Sequence, residues 1–251
     1  MPSRNTARGF SLVELAVVLA IVALVLGGAM MTLAAQQDAR KFAETQQQLE
    51  QARELLLAFA TTFKRLPCPA TAAAASGDEA PSGGGTCSSY YGGFLPGKAI
   101  GYQPVDAAGY ALDAWGNRIR YAVSSLTWSS AGGFTKAHVA GNAAVQWSLG
   151  NTPADLAICR NTPAAAASAV CDAGTSLASG NIVVALVFSV GKNGASGGTG
   201  ANEARNLDGN ALFVSRPPDP SGFTFGEFDD QMVWIPVSVL YARMLAAGVL
   251  P

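Results

Sequence analysis

The sequence predicts an α+β fold in which a long N-terminal transmembrane helix packs its C-terminal half on an antiparallel β-sheet, with disulfide-stapled loops and a short C-terminal helix. Three observations predict it. Residues 15 to 35 are apolar and uncharged, residues 42 to 63 carry one apolar stripe at helical spacing, and several later segments have strand patterns before a last helical stretch. With 251 residues, 49% apolar and 13% charged, the chain can bury one real core and is short for two full domains.

The apolar run, LAVVLAIVALVLGGAMMTLAA, has 21 residues. At about 1.5 Å per residue it reaches across a hydrocarbon layer of about 30 Å. It is longer than a secretory signal core and leads directly into more helix, so it is expected to be retained. Arg4 and Arg8 precede it, which places the N-terminus in the cytoplasm and residues after about 36 on the far side. Glu14 breaks the pattern beside Leu12, Val13 and Leu15, where a carboxylate at mid-depth costs about 2.5 to 3.5 kcal/mol. On spacing alone two readings stand, a carboxylate that snorkels to the interface and one that has a partner.

The stretch Gly9-Phe10-Ser11-Leu12-Val13-Glu14, after a short basic leader and before the apolar run, closely resembles the type IV pilin and pseudopilin signature. The resemblance implies cleavage between Gly9 and Phe10 by prepilin peptidase and N-methylation of Phe10. It also gives Glu14 a partner, the new amino group of Phe10 on a neighbouring subunit. The implied organisation is a cleaved leader over residues 1–9, a transmembrane helix over 10–35, the extracytoplasmic half of the same helix over 36–65, and a pilin-like globular domain over 66–251.

Beyond the run, Phe42, Leu49, Ala52, Leu56, Phe59 and Phe63 recur at spacings of seven, three, four, three and four, one face of a helix. The stripe is too short for a coiled coil of its own, so it is expected to pack a domain. Leu66-Pro67-Cys68-Pro69 ends the helix. Residues 70 to 94, rich in Ala, Ser and Gly, read as an irregular loop. A Trp-Gly-Asn turn then feeds Ile119, Tyr121 and Val123, which alternate with Arg118, Arg120 and Ala122 as in a half-buried strand. IVVALVFSV at 182 to 190 and residues 231 to 236 supply further strands, and Val237, Leu240, Tyr241, Met244 and Leu245 a closing helix with Gly248 at its cap. The D-x-W-G-N-x-I-x-Y stretch and VFSVGKNG resemble the major pseudopilin of type II secretion. With LPCPA, and FDD before VWIP, they resemble a large minor pilin or pseudopilin. The Ala-rich residues 125 to 180 depart from compact major subunits and read as an insertion.

Four cysteines, Cys68, Cys87, Cys159 and Cys171, lack any C-x-x-C spacing and face a single histidine, which suits disulfides better than a metal. Three pairings are open, and the short intervening loops favour Cys68 with Cys87 and Cys159 with Cys171. Removing Arg4 and Arg8 leaves 14 basic against 17 acidic residues, so general nucleic-acid binding is not expected. GKNGASGGTG has no Gly-Lys-Ser/Thr and reads as a loop rather than a phosphate cradle. His138 reads as a solvated or core residue, and no G-x-S-x-G is present. Glu203, Asn206 and Asp208 in one loop, and Glu227, Asp229 and Asp230 in another, raise calcium as a ligand, with solvated loop residues the favoured reading. Tyr90, Tyr91, Trp128 and Trp147 fit a ligand face and core packing equally.

The sequence therefore predicts no enzyme and no obligate cofactor. It predicts a minor pilin or pseudopilin of a type IV pilus or type II secretion filament, anchored in the bacterial inner membrane with its domain in the periplasm until assembly. Its expected partners are other pilins or pseudopilins, prepilin peptidase, the inner-membrane assembly platform and the membrane. The alternative is a binding module displayed at a filament tip, for adhesion, DNA or a secreted substrate. An anchored periplasmic enzyme is a third and weaker reading, since no set of convergent catalytic groups is visible.

Overall fold

The computed structural model describes residues 11–73, 76–127, 133–139, 147, 154–165, 169–194, 200–219 and 226–250, with the backbone alone for residues 26–32. Its elements in order are α1 (Leu12–Phe63), β1 (Gly93–Phe94), α2 (Gly97–Ile100), β2 (Arg120–Val123), β3 (Leu156–Cys159) and β4 (Ser176–Ser189), followed by α3 (Ala201–Asn206), β5 (Leu212–Val214), β6 (Gln231–Pro236) and α4 (Val237–Ala246). Two compact units result, one ending at Ala43 and the other beginning at Glu44.

The first unit contains the N-terminal part of α1. Ser11 starts the helix, its hydroxyl accepting the N–H of Glu14 at 3.2 Å, the bond an N-cap makes to the third helical residue. From Leu12 to Val25 the large apolar side chains are exposed on every side, from 45% at Val22 to 86% at Leu12. Among the described residues no helix is long and apolar enough to cross a membrane. The expected span, residues 15 to 35, includes residues 26–32, whose side chains lie outside the described ones.

In the second unit α1 buries one stripe. Thr45, Leu49, Ala52, Leu56 and Ala60 are wholly buried and Phe59 nearly so. Phe63, expected on that stripe, is half exposed and stacks on Phe59 at 4.4 Å, because Ala60 holds the innermost place in the last turn. The helix stops at Lys64, whose φ of 60° breaks the spiral, three residues before Pro67 removes a backbone donor.

The sheet has the order β1-β2-β4-β3-β5, with β6 pairing β4 as well. It is mixed rather than antiparallel, since β5 runs parallel to β3. The reason is the connection: the chain leaves β4, forms α3 and returns to β3, a crossover instead of a hairpin. β4 begins at Ser176, earlier than its apolar core suggests, because β3 pairs with its first half. The Ala-rich region read as an insertion thus supplies β3 and the start of β4. Both faces of the sheet are covered. On one, Leu49, Leu56 and Ala60 of α1 join Tyr121, Val123, Val187, Ile235, Leu240, Tyr241 and Met244. On the other, Ala122, Leu156, Ile158, Leu186, Phe188 and Phe213 form a second core. Ala122, read as facing outward, is consequently buried. The closing helix ends at Ala246 with Gly248 at a φ of 67°, the left-handed position that glycine suits.

The exit of α1 is locked by a charge pair. Arg65 donates to both oxygens of Glu79 at 2.7 and 2.6 Å, and both side chains are over 90% buried. Glu79 also accepts the N–H groups of Cys68 (3.2 Å) and Gly83 (3.0 Å), so every strong acceptor site is used. The disulfide from Cys68 to Cys87 closes the same loop, and one from Cys159 to Cys171 ties the end of β3 to the turn before β4. Glu79→Ala strands a buried guanidinium and is expected to lower the unfolding free energy by about 3 to 5 kcal/mol. Urea unfolding followed by tryptophan fluorescence measures this, and a loss well under 1 kcal/mol contradicts the assigned role.

Candidate functional site

Two places bring functional residues together. The first is the start of α1. Gly9 and Phe10 lie outside the described residues. Glu14 is in the first helical turn, where a carboxylate is favoured by the exposed N–H groups of the helix end. Its own N–H is taken by Ser11, while its carboxylate is exposed and has no bonded partner among the described residues. The described part of the helix thus presents an apolar surface on all sides with one exposed acid in its first turn.

The second is a buried acidic cluster at the end of β4, built by three segments. Ser189 closes β4, donating its hydroxyl to Asp113 at 2.5 Å. Asp113 meanwhile accepts the N–H groups of Trp115 (2.9 Å) and Asn117 (2.8 Å), and Asn117 donates to the carbonyl of Gly191 at 2.6 Å. The D-x-W-G-N turn is therefore a clasp that fixes the loop after β4. Gly191 has a φ of 64°, and a Cβ there would lie 2.1 Å from Asp229 Oδ1, so this position admits only glycine.

That loop delivers Asn193 to the acids. Its side-chain amide donates to Glu203 Oε1 and Oε2 at 3.0 and 3.2 Å, and its backbone N–H to Asp229 Oδ2 at 3.0 Å. Glu203 also accepts the backbone N–H of Asp229 at 3.0 Å. Asp230 accepts from Asn206 at 2.7 Å, and Asn206 is clamped to both backbone groups of Val214. Oxygens of Glu203, Asp229 and Asp230 lie within 4.8 Å of one another, and all three residues are buried.

The expectation of solvated loop residues is thus corrected for Glu203, Asn206, Asp229 and Asp230, which the crossover from β4 through α3 folds inward. Asp208 does not join them. It pairs with Arg205 at 2.9 Å and caps the N–H of Asn210. Glu227 is half buried and acts on Asp229 only through its charge. Gly191 and Asn193 were expected only as the end of a strand and part of a loop, and the structure sets both against the acids. The donor set is all oxygen, the kind a hard divalent cation such as calcium takes.

Burial pushes Asp230 up to about 8 and Asp229 up to about 6, with the Glu203 charge adding to both. His138 is buried as a core residue. Its Nδ1 accepts the N–H of Trp147 at 3.0 Å, and burial together with Lys64 lowers its pKa. Trp147 packs in the main core, Tyr90 against it and Tyr91 against the second, while Trp128 lies outside the described residues.

Residues 4–30 match the prokaryotic N-terminal methylation motif. This motif is the type IV pilin and pseudopilin signature, and the proteins it defines are structural rather than enzymatic. No curated protein and no solved structure matches the chain.

In the metal-free protein, Asp229 and Asp230 titrate above the ordinary carboxylate value of 3.8 that the unfolded chain has. The native state then holds more protons between about pH 4 and pH 8, and stability falls as pH rises through that window. With chelator present, the melting temperature is expected to drop from pH 5 to pH 8, and calcium to restore it at pH 8. Asp230→Asn should melt above wild type at pH 8 with chelator and match it at pH 5. Equal melting of the two proteins at pH 8 would show that the cluster carries no such strain.

Proposed function

We propose that the chain is a minor pilin or pseudopilin, a structural subunit of a type IV pilus or type II secretion filament that acts by assembly and not by catalysis. The observation carrying this reading is the methylation motif lying over a helix whose apolar side chains are exposed all round from Leu12 to Val25. Prepilin peptidase cuts between Gly9 and Phe10, freeing an amine that is then N-methylated. Residues 15 to 35 hold the precursor in the inner membrane, with the globular unit in the periplasm.

Glu14 then has a task. A carboxylate alone at mid-depth in hydrocarbon costs about 2.5 to 3.5 kcal/mol, and so does an isolated ammonium. Setting the Glu14 carboxylate of one subunit against the Phe10 amine of the next removes both penalties together. Such a pair fixes the register between helices more than it adds net stability. The apolar side chains around α1 find their cover first in lipid and later in neighbouring helices. Other pilins or pseudopilins and the inner-membrane assembly platform are the partners.

Gly9→Val is expected to block processing, so that the intact precursor accumulates in the membrane. Glu14→Ala should be cut normally and begin at Phe10, yet its share of sheared filaments should fall by about an order of magnitude. Mass spectrometry of the mature N-terminus and immunoblots of the filament fraction read both outcomes. A mature chain that starts at Met1 or Pro2 removes the basis for the assembly mechanism.

A further inference from the structure

Of the eight arginines from residue 53 onward, six have a carboxylate within ion-pair distance. They are Arg53, Arg65, Arg118, Arg205, Arg216 and Arg243. Arg160 has none among the described residues and is exposed, where water compensates its charge. Arg120 is the exception, half buried and with no carboxylate or hydrogen-bond acceptor among the described residues. A guanidinium removed from water without a partner is costly. This one is compensated only by an aromatic ring.

The ring is held in place by the fold. β1 pairs with β2 so that Phe94 stands opposite Arg120, and Arg120 in turn stands opposite Phe188 of β4. Arg120 Cζ lies 4.2 Å from the Phe94 ring centroid, a stacked cation–π geometry. Phe94 exchanges both backbone hydrogen bonds with Ala70, at 2.8 and 2.9 Å, and a Cβ on Gly93 would lie 2.3 Å from Pro69. The strand is thus pressed against the segment that the Cys68 to Cys87 disulfide anchors. Phe94 also meets Tyr110 edge to face at 5.5 Å. Arg118 covers Tyr110 at 3.9 Å and is neutralised by Asp106 at 2.7 Å. The platform is therefore rigid before any ligand arrives, and only one of its two cations is unspent.

Arg120 as a whole is half buried, so part of its side chain remains in contact with solvent while the Phe94 ring lies against the guanidinium. Such an arrangement matches one carboxylate, bound by two parallel N–H bonds.

We propose that Arg120, stacked on Phe94, is a docking point for an acidic side chain of a second protein chain. A nucleic acid fits less well. A phosphate backbone needs a row of uncompensated cations, whereas Arg118 is already spent on Asp106, and beyond Arg4 and Arg8 the chain has 17 acidic against 14 basic residues. A protein partner supplies a single carboxylate beside apolar surface, which is what the half-buried guanidinium and the Phe94 edge require. The interaction does not depend on filament assembly and is open to test on the purified subunit.

The test uses the full-length protein in detergent micelles, with the arginine side-chain Nε–H signals followed by NMR. The probes are an acetylated, amidated tetraglutamate peptide, a tetralysine peptide, inorganic phosphate and decathymidylate. The tetraglutamate peptide is expected to shift the Arg120 signal saturably at about millimolar concentration, and added salt to weaken the effect. Tetralysine should leave the signal unmoved. In Arg120→Lys, which keeps the charge but loses the fork and the stack, none of the remaining arginine Nε–H signals should shift saturably with the peptide. Phe94→Leu, which keeps the arginine and loses its ring, should weaken binding about three- to fivefold. The wild-type titration stands even if either variant fails to fold. No saturable shift with tetraglutamate overturns the proposal, and so does tighter binding of phosphate or decathymidylate, or undiminished affinity in Phe94→Leu.

Discussion

Burial of β4 on both faces is the constraint from which the rest of the globular unit follows. Residues 183 to 188 are wholly or almost wholly buried, shared between the core that α1 and α4 cover and the core under β5. A strand so placed needs partners along both edges, and β2, β3 and β6 supply them. Its end then becomes a fixed point. Ser189 receives the Asp113 clasp, Gly191 lets Asp229 approach, and Asn193 reaches the acids. The acidic cluster is precise because it hangs from the most deeply buried strand.

The same helix meets two different physical demands. Up to Val25 its described side chains are apolar on all sides and exposed, whereas from Thr45 they are apolar on one stripe and that stripe is buried. The second demand is met inside the chain by the sheet. The first requires an apolar surrounding, which the filament reading assigns to lipid and then to neighbouring helices. Along one element the pattern thus changes from all-round to one-sided hydrophobicity.

Charges in the second unit are handled in three ways. Arg65 and Glu79 are a mutually saturated pair with extra backbone donors, a sound way to bury two ions. Glu203, Asp229 and Asp230 gather like charges, and asparagines relieve them only in part, so protons or a cation must do the remainder. Arg120 has a ring in place of a counter-ion. Ordered this way, the three sites run from self-sufficient to incomplete, and the incomplete ones are where ligands are sought.

The sequence by itself determined the elements whose signals are local. The stripe from Leu49 to Phe59, the strand over residues 231 to 236, the glycine-capped closing helix and the pilin signature before the apolar run are all set by spacing along a single segment. Tertiary structure alone decided what depends on distant segments meeting. The parallel pairing of β5 with β3, the inward turn of four residues read as solvated, the burial of Ala122 and the isolation of Arg120 on Phe94 have no local signature. Periodicity reports which face of a segment is apolar, but it carries no record of which neighbour covers that face or which charge is left without a partner once the sheet has closed.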